Sequence, residues 1–229
     1  MTDYNVVALL PMKAHSERIQ NKNFRMIAGK PLYQWMLDTL LSIEFIDLVV
    51  VNTDAEKILD DAPVMKNERV LLRNRKLSIC GDKVSMNLVI GDDVENISSQ
   101  IYLMTHTTNP LLSTASIRAA FDVFSNASSK KTNDSLFTVT KHQTRFYKKD
   151  GQAVNHDPRL LVRTQDLEPW YEENSNLYIF TRESFDNTKS RIGCRPLLYE
   201  ISRKEAIDID DQDEFDIAEA MLEKYGKTD

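Results

Sequence analysis

Short apolar runs alternate with amphipathic patterns along most of this chain. Residues 6–10 (VVALL) form a continuous apolar run, which is typical of a strand buried on both faces of a parallel sheet, and Pro11 ends it. Residues 31–43 carry apolar side chains at helical spacing. A second apolar run at residues 45–52 ends where Thr53 or Asp54 can cap another helix. The chain therefore opens as strand, helix, strand, helix.

The same alternation continues towards the C-terminus. Further strands are predicted at residues 70–72, 100–104, 136–140, 176–180 and 197–201, and further helices from residue 86, at residues 113–125 and at residues 214–225. Ser113 or Thr114 is expected to cap the second of these helices. The last helix is amphipathic, with an apolar face predicted at Phe215, Ile217, Ala218, Met221 and Leu222. Residues 125–135 (SNASSKKTNDS) have the composition of a surface loop.

Repeated strand–helix alternation predicts an α/β fold, specifically a Rossmann-like doubly wound and mostly parallel sheet. Residues 141–174 interrupt the pattern, because they mix aromatic and charged side chains without a clear period and contain a predicted hairpin turn at residues 149–151. We interpret the chain as one domain, residues 1–229, with this segment inserted in it. Ligands of such sheets bind beyond the carboxyl ends of the strands, where the polar loops of this chain fall.

Composition and charge argue against nucleic-acid binding and against a membrane span. The 229 residues carry a net charge of -6 with a pI near 5.3, which argues against a nucleic-acid groove, since that requires a clustered cationic surface. No apolar run approaches the ~18 residues of a membrane span, and the start MTDYN lacks the features of a signal peptide. We therefore expect a cytoplasmic protein. Cys80 and Cys194 are read as ordinary reduced thiols.

The loop after the first strand is crowded with cations and amides. It contains Lys13, Ser16, Arg18, Lys22 and Asn23, a set that can hold a triphosphate and the nucleoside attached to it. The G-x4-G-K-[ST] pattern of a Walker loop is absent from the sequence. A solvated polar loop fits the same residues, and for an isolated pair of lysines it is the commoner outcome.

A second polar cluster lies near the C-terminus. In EAIDIDD, residues 205–211, period-two geometry would place Asp208 and Asp210 on one side and Asp211 on the other, so that two carboxylates could bind one Mg²⁺ ion. The same acids also fit the N-cap and first turn of the helix that follows. The acidic run alone does not distinguish these interpretations.

Six segments together resemble the bacterial acylneuraminate cytidylyltransferases, the CMP-sialic acid synthetase group, whose members transfer CMP from CTP to a nine-carbon 2-keto sugar acid. The resemblance extends over nearly the whole chain. The segments are LLPMKAHSERIQNKN, VVVNTDAE, RKLSICGDKVS, HTTNPLLS, RTQDLEPWYEENSNLYIF and EAIDIDDQDEFDIAEAML. Several motifs in the right order are more specific than any one of them.

The resemblance implies a role for each matching residue. It makes Lys13 and Lys22 catalytic cations on the triphosphate and Asp208 and Asp210 the catalytic carboxylates that hold Mg²⁺. The other implied roles are nucleotide binding by Lys13, Ser16, Lys22, Asn23, Arg75 and Ser85, and acceptor binding by His106, Arg163, Gln165, Asn174 and Tyr178, with Arg163 the candidate partner of the acceptor carboxylate. Family members are dimers whose insertion reaches the partner's site. The resemblance therefore implies that residues 141–174 are an inserted dimerisation subdomain and that the chain forms a homodimer.

Several positions depart from the family pattern. Lys13 replaces an arginine and so loses a bidentate phosphate contact, AHSER replaces a glycine-containing loop core, Asn52 replaces a serine, and His106 replaces a glutamine. These changes affect the identity of the acceptor more than that of the nucleotide. Two alternatives remain open: transfer of CMP to Kdo or another acid acceptor, and a nucleotide-binding homologue without catalytic activity.

Overall fold

The computed structural model describes residues 4–60 and 62–225. Its strands are β1 (Tyr4–Leu9), β2 (Met26–Ile27), β3 (Lys30–Pro31), β4 (Leu48–Thr53), β5 (Val70–Asn74), β6 (Ser99–Thr105), β7 (Ser135–His142), β8 (Trp170–Thr181) and β9 (Pro196–Glu200). Its helices are α1 (Leu32–Leu41), α2 (Glu56–Leu59), α3 (Met86–Asn96), α4 (Thr114–Ser129), α5 (Arg182–Thr188) and α6 (Gln212–Tyr225). None of the helices in these two ranges combines the length and apolarity that crossing a membrane requires.

The main sheet has the order β5-β4-β1-β6-β8-β7-β9. Strands β5, β4, β1 and β6 pair in parallel, β7 and β9 pair in parallel, and β8 runs antiparallel to its neighbours β6 and β7. The predicted mostly parallel α/β sheet is thus confirmed. Because the chain moves outward from β1 first through β4 and then through β6, the strand order reverses beside β1, and a crevice opens there at the carboxyl edge.

The core has a layer on each face of this sheet. Along β1 the side chains alternate, so that Ala8 packs among residues of α1 while Val7 and Leu9 pack among residues of α3. Both layers are apolar, which explains why the sequence of β1 reads as a continuous apolar run rather than an alternating one.

A third apolar cluster lies beside the crevice. Ile19 from the loop after β1 and Ile209 from the segment before α6 are buried in it together with Phe215 of α6. The cluster therefore holds the cationic loop and the acidic segment against each other, although about 190 residues separate them in sequence.

Several predicted boundaries need correction. Helix α4 continues to Ser129, so that the predicted loop at residues 125–135 is confined to residues 130–134; its start is confirmed, because Ser113 Oγ accepts a hydrogen bond from the Ser116 amide at 3.1 Å. Helix α5 was not predicted. The inward placement of Ile217 is wrong, since 53% of that residue is exposed, whereas Phe215 is buried as expected.

The segment that lies outside the main sheet is shorter than the insertion predicted at residues 141–174. Residues 141–142 extend β7 and residues 170–174 extend β8, so that both ends of the predicted insertion belong to the main sheet. The hairpin turn is confirmed: Tyr147 pairs with Ala153, and Gly151 adopts a φ of 86°. Leu160 and Leu161 expose 62% and 93% of their surfaces. The dimerising role of the segment stays a prediction.

Candidate active site

A cleft opens at the carboxyl edge of the sheet, where β1 and β6 end. The loop after β1 forms one wall, the loop after β6 forms the floor, and the segment before α6 closes the other side. The residues that line this main cleft are Pro11, Lys13, His15, Ser16, Glu17, Arg18, Lys22, Asn23, Asp82, Met86, His106, Thr107, Thr108 and Asp210.

The first cation of the cleft is paired with an acid. Lys13 Nζ lies 3.0 Å from Asp82 Oδ1, and both side chains are partly exposed. The Lys13 ammonium lowers the pKa of the Asp82 carboxyl, by its hydrogen bond first and by its charge second. Since an exposed pair of this kind contributes little stability, an anionic ligand can replace Asp82 on the lysine at small cost.

Lys22 is the buried cation of the cleft. Its ammonium donates a hydrogen bond to the Ile209 carbonyl and lies 3.7 Å from Asp210 Oδ1. Burial lowers the pKa of Lys22, and the charges of Asp210 and Asp208 oppose that effect. Lys22 therefore connects the cationic loop directly to the acidic segment.

Asn23 and Ser16 also lie in the cleft, but in different environments. Asn23 is buried; its Nδ2 donates to the Lys13 carbonyl at 2.8 Å and its Oδ1 accepts from Thr107 Oγ1 at 2.7 Å. The second bond fixes the cationic loop to the loop after β6, so the Asn23 side chain acts first as a structural link. Ser16 is half-buried on the cleft wall.

The acidic side of the cleft is built on the buried Ile209. Its amide donates to the Thr108 carbonyl at 2.9 Å, which places Asp208 and Asp210 on either side of a fixed point. Asp210 Oδ2 lies 2.8 Å from Arg18 Nη1. Both acids face a second concavity, the acidic depression, lined by Glu172, Glu173, Asn174, Ser175, Ala206, Ile207, Asp208, Asp210, Glu214 and Ile217.

The acidic run was interpreted either as a Mg²⁺ site or as the cap of the following helix, and the structure separates the residues to which each interpretation applies. Residues 207–210 do not form a strand, so the period-two argument for Asp208 and Asp210 is wrong, although both face the acidic depression. Asp211 instead caps α6, because its Oδ1 accepts from the Glu214 amide at 3.0 Å while Glu214 Oε2 accepts from the Asp211 amide at 3.2 Å.

Asp208 provides the observation that bears on a metal. Within residues 4–60 and 62–225, its Oδ1 is buried and has no hydrogen-bond partner. Burial raises the pKa of the carboxyl, and Thr108 partly offsets the rise. An unpartnered buried carboxylate oxygen beside a second carboxylate fits a hard divalent cation such as Mg²⁺. Among the described residues no group of three or more His, Cys, Asp or Glu side chains is arranged around such an ion, so phosphate and water oxygens would have to complete its ligand set.

The predicted acceptor residues divide into two groups. His106 lines the main cleft, Asn174 lines the acidic depression, and Tyr178 is buried and lines neither. Gln165 and Arg163 lie outside both concavities on the exposed insertion, where Arg163 Nε pairs with Asp166 Oδ2 at 2.7 Å.

His106 and Asn174 differ in what they offer to a ligand. Burial, reinforced by the charges of Arg191 and Lys22, lowers the pKa of His106 to about 3, so its imidazole is neutral at pH 7. Asn174 is already engaged: its Oδ1 accepts from Thr138 Oγ1 at 2.7 Å and its Nδ2 donates to Thr140 Oγ1 at 3.1 Å.

Two predicted nucleotide-binding residues lie away from the cleft surface. Arg75 is buried beneath the cationic loop and donates from Nη2 to the Met12 carbonyl at 3.1 Å and from Nε to Asn52 Oδ1 at 2.9 Å. Asn52 Nδ2 in turn donates to Asp93 Oδ1 at 2.8 Å. Ser85 is exposed and faces a groove between α3 and α5. Arg75 thus supports the loop from below in this chain.

Sequence reasoning missed three contributors to this region. Asp82 pairs with Lys13, Glu173 accepts from the Tyr178 hydroxyl, and Arg191 stacks on the Tyr178 ring. Asp82 and Glu173 lie inside two of the quoted segments and could have been considered. Arg191 follows an unpredicted helix and carries no local pattern that would have singled it out.

The sequence matches the family described as "Cytidylyltransferase" over residues 7–223. It is 27% identical to a CMP-N,N'-diacetyllegionaminic acid synthase from Legionella pneumophila, over 95% of this chain and 96% of that protein. It is 26% identical to a pseudaminic acid cytidylyltransferase from Campylobacter jejuni, over 78% of this chain and 79% of that protein.

Other relatives are longer than this chain. The match to an N-acylneuraminate cytidylyltransferase from Oncorhynchus mykiss is 26% identical and covers 97% of this chain but 51% of that protein, so the chain spans about half the length of some relatives that it matches. Among solved structures, a CMP:2-keto-3-deoxy-manno-octonic acid synthetase complexed with CTP superimposes with a TM-score of 0.68 at 12% identity, over 96% of this chain and 99% of that one, which shows a shared fold. The match over residues 7–223 spans almost the entire described chain, and this protein therefore belongs to the cytidylyltransferase family.

Proposed function

We propose that this protein transfers CMP from CTP to a nine-carbon 2-keto sugar acid with release of pyrophosphate. The observation that carries the proposal is the meeting of Lys22 and Asp210 across one cleft at the carboxyl edge of the sheet, in a chain of the cytidylyltransferase family. In this reaction the anomeric hydroxyl of the acceptor attacks the α-phosphorus of CTP and pyrophosphate leaves. Such chemistry depends on positioning and on neutralising charge, which the two walls of the cleft can supply.

The cationic wall would bind the triphosphate. Lys13 exchanges its exposed partner Asp82 for phosphate oxygens, while Lys22, held by the Ile209 carbonyl, presents a charge that is already positioned. Ser16 adds a hydroxyl to the same wall. The position of Lys22 depends on the acidic segment, so both walls contribute to nucleotide binding.

The acidic wall would hold Mg²⁺ through Asp208 and Asp210. The unpartnered Oδ1 of Asp208 supports this assignment, because a buried carboxylate oxygen without a partner is costly unless a ligand completes it. A bound Mg²⁺ ion supplies Lewis-acid neutralisation of phosphate charge. The chain's own contribution is to keep the two carboxylates on either side of the fixed Ile209 amide.

The acceptor would enter between the His106 end of the main cleft and the acidic depression. The relatives reported above are named for N-acylneuraminate, N,N'-diacetyllegionaminic acid and pseudaminic acid, which supports an acid sugar of this group. His106, neutral at pH 7, can accept or donate a hydrogen bond to a sugar hydroxyl. Kdo is less favoured, because the similarity to a Kdo synthetase is one of fold at 12% identity.

We further propose a homodimer in which the insertion reaches the partner's cleft. This would give Arg163 and Gln165, which lie outside the cleft of their own chain, a place near the acceptor. The exposed Leu160 and Leu161 support it, since apolar side chains at such exposure favour burial against another surface. Sedimentation equilibrium at micromolar concentration should give twice the chain mass; a monomer would contradict the proposal.

The direct test is release of pyrophosphate from CTP and Mg²⁺ in the presence of sialic, legionaminic, pseudaminic, deaminated neuraminic or Kdo acid. We expect release with at least one of the four nine-carbon acids, and a CMP-sugar of the matching mass. Tight CTP binding without release for any acceptor would contradict the proposal and would favour a binding protein that has lost the chemistry.

A further inference from the structure

Arg191 places a guanidinium beside Glu173, a residue of the acidic depression, and over the Tyr178 ring. It lies in the loop between α5 and β9, with its Cζ 3.8 Å from the centroid of the Tyr178 ring and its Nη2 3.6 Å from Glu173 Oε1. Nη1 lies 3.8 Å from Met104 Sδ. Of the side chain 18% is exposed. Within the part of the chain that the structure describes, the guanidinium makes no hydrogen bond to an oxygen or nitrogen, so its strongest donors are available to a ligand.

Arg191 interacts with one residue of the main cleft and one residue of the acidic depression. Its charge reaches His106 in the main cleft, where it helps to keep the imidazole neutral. Its nearest acid, Glu173, lines the acidic depression together with Asp208 and Asp210. Arg191 is therefore linked to one residue of each concavity, Glu173 by proximity and His106 by charge.

The charges of the acidic depression create a need for such a cation. Five carboxylates line it, namely Glu172, Glu173, Asp208, Asp210 and Glu214, and its described lining contains no Lys, Arg or His. Arg18 and Lys22 approach only Asp210, from the side of the main cleft. An anionic acceptor that approached these groups would meet like charges. The guanidinium beside Glu173 offsets that repulsion and offers a planar pair of donors, which suits carboxylate or carbonyl oxygens.

The loop that carries Arg191 is held in place before any ligand arrives. The Arg191 amide donates to Asn87 Oδ1 at 3.2 Å, the Gly193 amide donates to Ser135 Oγ at 2.8 Å, and the Arg195 amide donates to Asp134 Oδ1 at 2.9 Å. The contact with the Tyr178 ring further restricts the position of the guanidinium. Such preorganisation reduces the entropy lost when a ligand binds.

We propose that Arg191 is a specificity-determining residue that donates hydrogen bonds to oxygens of the sugar-acid acceptor. This inference rests on the proposed cytidylyl transfer. The recognised oxygens can belong to the carboxylate of the acceptor or to an acyl substituent, and both present the same planar acceptor chemistry. A purely structural Arg191 would instead serve only to neutralise Glu173 and to cover Tyr178.

The test compares Arg191→Met and Arg191→Lys with the wild-type chain. We expect kcat/KM for the acceptor to fall about 100-fold in Arg191→Met, the size of effect produced by removing a charged donor from a substrate oxygen. Arg191→Lys should recover part of this loss, because it keeps the charge without the fork. The dissociation constant of CTP, measured by calorimetry without acceptor, should stay unchanged in both variants.

The matched control is Arg195→Met. Arg195 lies in the same loop but is exposed, and it donates from Nη1 to the Lys131 carbonyl at 2.9 Å on the far side of the loop. This variant should retain wild-type kcat/KM. Thermal melting of all three variants separates loss of fold from loss of recognition, and Arg191→Lys keeps the test interpretable if the methionine variant unfolds.

Acceptor analogues identify the oxygens. If Arg191 binds the carboxylate, the loss in Arg191→Met disappears with the acceptor methyl ester; if it binds an acyl oxygen, the loss disappears with the des-acyl analogue. Either result supports the inference. An equal loss with every analogue, no loss at all, or a matching loss of CTP affinity would overturn it. A wild-type chain that is inactive with every acceptor would refute the cytidylyl transfer itself, which is a distinguishable outcome.

Discussion

Replacing Asp210 with alanine tests whether its carboxylate has the proposed catalytic role or only a structural one. The side chain of Asp210 is 49% exposed and pairs with Arg18, whose side chain is 63% exposed, so the pair contributes little to folding. Its other cationic neighbour, Lys22, keeps its hydrogen bond to the Ile209 carbonyl when Asp210 is removed. We therefore expect Asp210→Ala to fold with a melting temperature close to that of the wild type.

The catalytic cost should be much larger. If Asp208 and Asp210 hold Mg²⁺ as proposed, losing one of the two carboxylates removes several kcal/mol of transition-state stabilisation, and about 4 kcal/mol corresponds to roughly a thousandfold in rate. We expect the rate of pyrophosphate release at saturating CTP and acceptor to fall by about that factor. Added Mg²⁺ should restore only part of it, because the missing oxygen ligand has to be replaced by water.

The neighbouring Asp211 provides the matched control. Its carboxylate caps α6 through the Glu214 amide at 3.0 Å, so Asp211→Ala should cost about 1 kcal/mol of stability and leave turnover nearly unchanged. The two variants differ by one position and have opposite expected effects. The assignment of catalysis to Asp210 and of helix capping to Asp211 would be refuted by one result. In that result Asp210→Ala keeps turnover within a few-fold of wild type and Asp211→Ala loses more turnover.

Three further outcomes follow from other parts of the structure. Lys22→Met leaves the Ile209 carbonyl without its donor and should weaken CTP binding in calorimetry while costing about 1–3 kcal/mol in denaturant unfolding. Gly193→Ala would place a Cβ 2.3 Å from Asp134 Oδ1, so it should displace the loop of Arg191 and raise the acceptor KM more than the CTP KM; equal changes in both would contradict this. Burial raises the pKa of Asp93 to about 6, so the carboxyl in the native protein keeps its proton to higher pH than in the unfolded protein. The stability of the wild type relative to Asp93→Asn, measured by urea titration, should therefore fall by about 3 kcal/mol between pH 3 and pH 7. A difference in stability that does not change with pH would contradict this prediction.

The sheet was predictable because its strands are buried on both faces. In β1 and β4 every second residue packs on the opposite layer, and both layers are apolar, so each strand reads as an uninterrupted apolar run. Helix α5 was harder to predict, because its sequence RESFDNT buries only Ser184 and Phe185 and so shows little periodicity. The boundaries of the insertion failed for a related reason: the exposed start of β8 is strand only through pairing with β7.

The site was predictable in its acids and lysines and less so in its arginines. Lys22 and Asp210 could be named from motifs, but their contact depends on the burial of Ile19 and Ile209 in one apolar cluster, which sequence spacing does not reveal. Arg163 belongs to a quoted motif but lines neither concavity, whereas Arg191 belongs to no motif but lies beside Glu173 of the acidic depression. The placement of Arg191 is therefore determined by tertiary packing.

The departures from the family pattern become understandable as a connected set. Asn52, where the family has serine, is long enough to accept from Arg75 Nε and to donate to Asp93 at the same time. Arg75 in turn holds the Met12 carbonyl, and Met12 immediately precedes Lys13. A loop core without the usual glycines therefore receives support from below through the Asp93–Asn52–Arg75 chain of hydrogen bonds. Because that chain ends at the residue before Lys13, a lysine can be positioned for phosphate even without the geometric constraint that a bidentate arginine would supply.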